Sequence, residues 1–208
     1  MHLPKKGLRA LGIAESYSGR TRSNLAGVVM RKDLRIDGFV FGSVAVGAMD
    51  ATDEILRMVR DLERRDINVI LLSGCVIAWF NVIDPTRIAR ETGLPVICVT
   101  YEESDGLLED IAHHFPEDAA RMAAYRRLGE RTPVRLHTGL TCYIRSWGIS
   151  EDDAARFCDD FTRDGKIPEP LRVARLCARQ IPVPAVPCPE DPPSGATLPG
   201  SAGKGDFI

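Results

Sequence analysis

The sequence lacks a strong net charge. Its 208 residues carry a net charge of −2, and only five of the 27 basic residues are lysines. A nearly neutral chain has no overall attraction for phosphate, so binding to nucleic acid through charge of the whole protein is excluded. Arginine can bind carboxylate or phosphate with two hydrogen bonds. A preference for arginine over lysine along the whole chain, however, is more typical of the overall composition of an organism's proteins than of a particular function.

Long apolar runs are also missing. The longest, residues 69–80, is interrupted by Ser73-Gly74 and is shorter than the roughly 20 residues that cross a bilayer. Lys5-Lys6 is followed by Arg9 and Glu15 instead of the apolar region of a signal peptide. We therefore expect a soluble, cytoplasmic protein without a membrane partner.

Several common site motifs do not occur. None of the six cysteines belongs to a C-x-x-C pair, and we find no glycine-rich phosphate loop, nucleophile elbow or zinc-ligand spacing. Several cysteines fall inside apolar patterns, which predicts small core residues in a reducing environment. Chemistry based on these motifs is therefore excluded.

One stretch organises the rest of the chain. Residues 67–72 form a continuous aliphatic run, which is typical of a parallel strand covered on both faces. The run ends at Ser73-Gly74, the carboxyl end of the predicted strand, and open α/β sheets hold their ligands at this end. We expect the functional site there.

The surrounding patterns predict an α/β fold. Short connections indicate an antiparallel meander, and the helix that follows makes the central strand parallel to a strand already in the sheet. This is the order of an RNase H-like mixed sheet, in which the first strand should lie beside the central strand. We predict strands at 8–15, 25–30, 36–46, 67–72 and 95–101, a short strand or hairpin at 134–144, and helices at 51–64, 86–92, 106–115, 117–128, 150–163 and 171–179.

The domain organisation follows from composition. Residues 181–208 contain seven prolines and four glycines and show no apolar periodicity. A segment of this kind cannot bury enough apolar surface to offset its chain entropy. We predict one domain over residues 1–181 and a disordered tail over residues 182–208.

Seven short segments, taken in order, resemble a known family. The chain is similar to the archaeal family of uncharacterised proteins known as domain of unknown function 99 (UPF0215-type), which is related in fold to endonuclease V. The likeness spans roughly residues 7–180 and implies nucleic-acid binding or processing. The segments are Gly12–Ser16, Ile36–Gly38, Asp50–Thr52, Leu72–Gly74, Phe80–Asp84, Thr92–Ile97 and Ile167–Ala174.

The resemblance also implies a metal site. Nucleases of the endonuclease V type use acidic residues to hold Mg²⁺, which activates water against a phosphodiester. The matching positions here are Ala14 or Glu15, Asp50 or Asp53, and Ser73. The family pattern has Asp where Ala14 and Ser73 stand. The resemblance therefore implies a degenerate site, with Glu15 and Asp50 as metal ligands and weak or absent Mg²⁺ binding. If Ala14 is the metal position, Glu15 projects to the opposite face.

Further candidates rim the same crevice. Arg20 and Arg22 follow the first predicted strand and could meet phosphate, or could belong to a solvated loop. Trp79 and Phe80 follow the central strand and could stack on a base or cover the sheet end. Asn81 could recognise a ligand or form a turn.

Other polar residues have structural interpretations beside the functional one. Asp50 and Asp53 lie at a helix start, where a carboxylate also serves as a cap. His137 is a candidate at a predicted strand end, and Glu169 with Arg172 indicates a structural anchor first and a site wall second. The alternative to nucleic-acid processing is a non-catalytic interaction or small-ligand-binding protein that retains the fold.

Overall fold

The computed structural model describes residues 7–17 and 21–181. The predicted tail at 182–208 and the candidate Arg20 lie outside this range. The strands are β1 (Arg9–Ser16), β2 (Arg22–Arg31), β3 (Ile36–Ala45), β4 (Val69–Ser73), β5 (Val76–Ile77), β6 (Asn81–Val82), β7 (Val96–Thr100), β8 (Thr132–Arg135) and β9 (Thr141–Trp147). The helices are α1 (Ala51–Asp61), α2 (Pro85–Thr92), α3 (Leu108–His114), α4 (Ala119–Arg127), α5 (Glu151–Asp160) and α6 (Glu169–Gln180).

Seven strands form one mixed sheet in the order β3-β2-β1-β4-β7-β9-β8. β1 pairs in parallel with β4, so that Ile13 lies opposite Leu72. The predicted adjacency of the first and central strands is therefore confirmed, and the fold is the RNase H-like α/β fold that the order of elements predicts. The segment predicted as a strand or hairpin at 134–144 is the β8–β9 hairpin, and β9 pairs antiparallel with β7.

Each face of the sheet is covered by helices. Leu72 belongs to the core cluster that includes α1 and α2, whereas Leu71 belongs to the cluster that includes α5 and α6. Side chains of successive strand residues point to opposite faces, which explains why β4 is a continuous apolar run. By the same alternation Ser73 lies on the α6 face.

Helix α6 packs closely along β1. A Cβ atom on Gly12 would lie 2.5 Å from the Cβ of Pro170, so only glycine allows this approach. Ala14 packs with Ala174 one turn further along the helix. Helix α6 therefore runs toward the carboxyl end of β1 and covers the face that bears Ala14.

Helix α1 is shorter than predicted. It ends at Asp61 instead of residue 64, because Glu63 has a left-handed φ of 48°. The Arg64 guanidinium then leaves the helix direction and binds the carboxylates of Asp37 and Asp66, each at 2.8 Å. An apolar periodicity that continues past the last turn does not predict this end.

The described cysteines lie in the positions expected of core residues. Cys75, Cys98, Cys142 and Cys158 are free and buried, and Cys177 is free and partly buried. None of the helices given above combines the length and the apolar character that crossing a bilayer requires.

Candidate functional site

The carboxyl ends of β1 and β4 meet on the α6 face. Because Ile13 lies opposite Leu72, the next residues, Ala14 and Ser73, are neighbours on that face. The Ser73 hydroxyl lies 3.4 Å from the hydroxyl of the buried Tyr101, which follows β7. On this face the two strand ends therefore provide a methyl group and hydroxyls.

Glu15 projects to the opposite face, as the alternation of strand side chains predicts. Its Oε1 accepts hydrogen bonds from the Ser23 hydroxyl at 2.5 Å and from the Ala78 amide at 3.1 Å. Burial raises the pKa of Glu15, and the two hydrogen bonds and the charge of Arg175 act in the opposite direction. The carboxylate joins β1 to the hairpin that follows β4.

This hairpin, formed by β5 and β6, has an unusual turn. Ala78, Trp79 and Phe80 all have left-handed backbones, with φ values of 43°, 61° and 59°. Side chains other than glycine pay a steric cost there, and such strain persists only where the surroundings hold it. The turn leaves 43% of Trp79 exposed but buries Phe80.

Three contacts hold the turn in this shape. The Glu15 carboxylate binds the Ala78 amide, and the Gly47 amide donates to the Ala78 carbonyl at 2.8 Å. The buried Arg121 donates to the carbonyls of Phe80 and Gly47, the latter at 2.7 Å. Arg121 thereby joins the loop after β3 to the turn after β5. Arg121 lies in a polar helical segment, and nothing in the sequence around it predicts this role.

Asn81 is a fully buried structural residue at the start of β6. Its Oδ1 accepts from the Ala51 amide at 3.1 Å, and its Nδ2 donates to the Ala45 carbonyl at 3.2 Å and to Asp50 Oδ1 at 2.6 Å. Asp50 Oδ2 in turn accepts from the Ala45 amide at 3.1 Å. The interpretation of the Asp50 carboxylate as the cap of α1 is wrong, because Asn81 binds the first helical amide and the Asp50 side chain binds none.

Two other candidates make contacts at the surface. Asp53 is two-thirds exposed and forms an ion pair with Arg87 at 2.8 Å. Arg22 opens β2 and donates across the sheet to the Ser43 hydroxyl at 3.0 Å and the Ser43 carbonyl at 2.7 Å. None of these contacts joins Asp53 or Arg22 to Ala14 or Ser73. The functional roles of the two residues stay predictions.

An aromatic cluster surrounds the hairpin turn. The His114 ring lies 4.8 Å from Trp79 and 5.6 Å from Phe80, and Phe80 meets Phe115 edge-on at 6.0 Å. The Arg121 guanidinium stacks 3.9 Å from the centre of the Phe115 ring. Phe80 is thus buried in the packing, whereas 43% of Trp79 is exposed. A ligand contact by either ring stays a prediction.

The remaining candidates lie in structural contacts. His137 Nδ1 lies 2.8 Å from Asp159 where the β8–β9 hairpin meets α5. At the start of α6 the Arg172 guanidinium binds both oxygens of Glu169, with a shortest distance of 2.7 Å. The pair lies within one turn of α6, and its role as an anchor or a site wall stays a prediction.

Arg175 is a residue of the site that sequence reasoning missed. Its guanidinium carbon lies 5.9 Å from the centre of the Tyr101 ring, and the Tyr101 hydroxyl in turn lies 3.4 Å from the Ser73 hydroxyl. Its charge acts to lower the pKa of Tyr101, although burial dominates and raises it. An arginine in a helix carries no sequence signal that separates it from its solvated neighbours.

The donor set does not fit a resident Mg²⁺ ion. Among residues 7–17 and 21–181, no group of three or more His, Cys, Asp or Glu side chains could hold a metal. Both oxygens of Asp50 accept from protein donors, and Glu15 accepts two hydrogen bonds on the face away from Ser73. Mg²⁺ is usually bound by one or two carboxylates together with water and phosphate oxygens in near-octahedral geometry. Binding of Mg²⁺ by Glu15 and Asp50 stays a prediction that these contacts weigh against.

Comparisons with known proteins give consistent matches. The profile of the family described as Endonuclease dU matches residues 6–182. A UPF0215 protein of Pyrobaculum calidifontis is 39% identical over 173 residues, which cover 82% of this chain and 95% of the relative.

Solved structures share the fold. A protein of unknown function from Archaeoglobus fulgidus matches with a TM-score of 0.71 and 28% identity, over 82% of this chain and 96% of that one. Endonuclease V of Ciona intestinalis, in complex with a DNA that contains an inosine followed by a ribo-adenosine, matches with a TM-score of 0.56 and 15% identity, over 84% and 85% of the two chains. The second likeness is one of fold.

Proposed function

Since the chain belongs to the Endonuclease dU family, we propose that it binds nucleic acid at the carboxyl ends of β1 and β4, with an unpaired base stacked on Trp79. The family resemblance stated from the seven sequence segments is confirmed. One observation carries the proposal, namely an indole that is 43% exposed on a strained three-residue turn whose first amide binds Glu15 at the end of β1.

The turn supports this role because its shape is costly. Three consecutive left-handed residues other than glycine would relax to an ordinary turn without Glu15, Gly47 and Arg121 to hold them. Strain of this kind concentrates at functional sites. Stacking on an aromatic ring contributes about 1–3 kcal/mol per base and tolerates any base, so the recognition of a particular base needs further contacts.

The family description directs the choice of substrate. Endonuclease dU names deoxyuridine, and the Ciona intestinalis endonuclease V was crystallised with a DNA that contains inosine. DNA with a single deoxyuridine is therefore the first ligand to test, and matched oligonucleotides with thymidine or deoxyinosine are the comparison. Cleavage of the phosphodiester next to the deoxyuridine is the activity to assay.

A second candidate function is binding without cleavage, as in a non-catalytic interaction or small-ligand-binding protein. It is favoured by Ala14 and Ser73, which provide no carboxylate at the strand ends, and by Asp50, both oxygens of which accept from protein donors. Glu15 accepts two hydrogen bonds at its Oε1. Cleavage assays with and without Mg²⁺ or Mn²⁺ separate the two functions.

The two tryptophans of the chain allow a direct test. In the variant Trp147→Phe the fluorescence comes from Trp79 alone, and in Trp79→Phe it comes from Trp147 in β9. We expect single-stranded DNA with one deoxyuridine to quench the first variant and to leave the second unchanged. Trp79→Ala should weaken the affinity by roughly 5- to 150-fold. Equal affinities of Trp79→Ala and the natural chain, or no binding of any oligonucleotide, would contradict the proposal.

A further inference from the structure

The α6 face of the crevice has a cation where a metal-binding pattern would have carboxylates. Leu171, one turn before Arg175, packs in the cluster that contains Leu71, and Ala174 packs on Ala14. Residues four apart lie on the same side of a helix. Arg175 therefore follows Leu171 toward the end of β4, which agrees with its place over the Tyr101 ring.

Arg175 is also unusual among the arginines of this helix. It is half-buried, yet within residues 7–17 and 21–181 it forms no ion pair and donates no hydrogen bond. Arg172, one turn earlier, binds both oxygens of Glu169. The guanidinium nitrogens of Arg175 are not among the described buried atoms that lack a partner, so they keep access to solvent. Their hydrogen-bond donors are therefore available to an anion.

We propose that Arg175, together with the hydroxyls of Ser73 and Tyr101, forms a metal-independent site for the phosphate of a nucleic-acid backbone. A guanidinium can bind two phosphate oxygens at once through its planar fork of donors. The two hydroxyls supply neutral donors on the same side. Burial raises the pKa of Tyr101 and so keeps its hydroxyl protonated as a donor. The site rests on the proposed function and gives its backbone contact.

The same site accounts for the two departures from the family pattern. A carboxylate at position 14 or 73 would lie under α6 beside the Arg175 guanidinium and would form an ion pair with it. The methyl group of Ala14 and the hydroxyl of Ser73 leave the guanidinium available to a ligand. In this proposal the positive charge that binds phosphate belongs to the Arg175 side chain instead of a metal ion. The absence of carboxylates at positions 14 and 73 also explains the poor fit of the described donor set to Mg²⁺.

The first test removes the cation. Arg175→Ala should weaken binding of the deoxyuridine oligonucleotide roughly ten-fold or more in the presence of EDTA, the loss expected for a charged hydrogen bond. The slope of log affinity against log salt should fall by about one phosphate contact. Arg175→Lys should keep the slope and lose part of the affinity. Arg179→Ala, an exposed arginine one turn later, is the matched control and should match the natural chain.

The second test blocks the site without removing the arginine. Ser73→Asp should reduce the affinity as much as Arg175→Ala does, because the new carboxylate pairs with the guanidinium, whereas Ser73→Ala loses one donor only. Circular dichroism and thermal melts confirm that each variant folds. Unchanged affinity in both Arg175→Ala and Ser73→Asp, or binding that EDTA abolishes, would overturn the inference.

The inference and the proposed function can fail separately. Quenching of Trp79 that persists with full affinity in Arg175→Ala would overturn the phosphate site and leave the proposed function standing. If no oligonucleotide binds, thermal melts with inorganic phosphate test the site separately, because a ligand that binds the folded state raises the thermal midpoint. A midpoint raised by phosphate in the natural chain and in Arg179→Ala, but not in Arg175→Ala, supports the site. An equal response in all three contradicts it.

Discussion

Asn81 donates a hydrogen bond to Asp50 Oδ1 at 2.6 Å and accepts one from the Ala51 amide at 3.1 Å. Through these bonds the first residue of β6 fixes both the start of α1 and the orientation of Asp50. The side chains of Asp50 and Asn81 therefore have partners within the protein. Trp79 is 43% exposed, and Arg175 forms no ion pair within residues 7–17 and 21–181.

Removal of the Asn81 amide should destabilise the fold. Asn81→Ala leaves the buried Ala51 amide without its acceptor and Asp50 Oδ1 without its donor, so we expect a loss of about 1–3 kcal/mol in the free energy of unfolding. Asp53→Asn, which breaks an exposed ion pair with Arg87, should cost less than about 1 kcal/mol. Urea denaturation measures both, and similar small losses would show that Asn81 does not hold α1.

The buried Glu15 should make stability depend on pH. Burial raises its pKa in the folded state, so the unfolded chain releases its proton at lower pH than the folded chain does. The resulting stability is present below the unfolded pKa and is lost as pH rises through the folded value.

Glu15→Gln tests this effect. Its amide oxygen can still accept from Ser23 and Ala78, but the group does not ionise. Relative to the natural chain, its free energy of unfolding should therefore rise as pH increases from about 4 to 7. Denaturation over this pH range gives the difference, and a constant difference would mean that Glu15 is solvated.

Carboxylates at the strand ends should create the metal site that the family pattern describes. The double variant Ala14→Asp, Ser73→Asp should bind Mg²⁺ or Mn²⁺ more strongly than the natural chain. It should lose about 1–3 kcal/mol of stability without metal, because position 14 is packed against Ala174 and like charges repel.

Thermal melts with and without metal compare the double variant and the natural chain. With Arg175→Ala added, the carboxylates lose their internal partner and the response to metal should increase. Equal stabilisation by metal in the natural chain and the double variant would contradict the assignment of Ala14 and Ser73 as substituted ligand positions.

The boundary of the domain can be located to one residue. The buried Asn24 donates to the Ile181 carbonyl at 2.8 Å, whereas residues 182–208 have the composition of a segment that buries little. A chain that ends at Ile181 should melt at the same temperature as the full chain. A chain that ends at Gln180 should lose about 1–3 kcal/mol, because Asn24 loses its acceptor. A large drop for the first truncation would contradict the predicted boundary.

Sequence alone determined the order of elements and the adjacency of β1 and β4. The apolar periods of the strands and α1 are local features, and the RNase H-like order that they form predicts β1 beside β4. Alternation along β1 also predicted that Glu15 and Ala14 face opposite sides. The end of α1 was missed by three residues, because Glu63 adopts a left-handed backbone that apolar periodicity does not encode.

Only the tertiary structure decided which polar residues are occupied and which are available. Asp50 and Asn81 are 31 residues apart in the chain, and Arg121 and Gly47 are 74 apart, so no local pattern connects them. Arg172 and Arg175 look alike in the sequence, yet the first has a carboxylate partner and the second lies over Tyr101. The difference arises from packing, because the path of α6 across the sheet sets what each guanidinium meets.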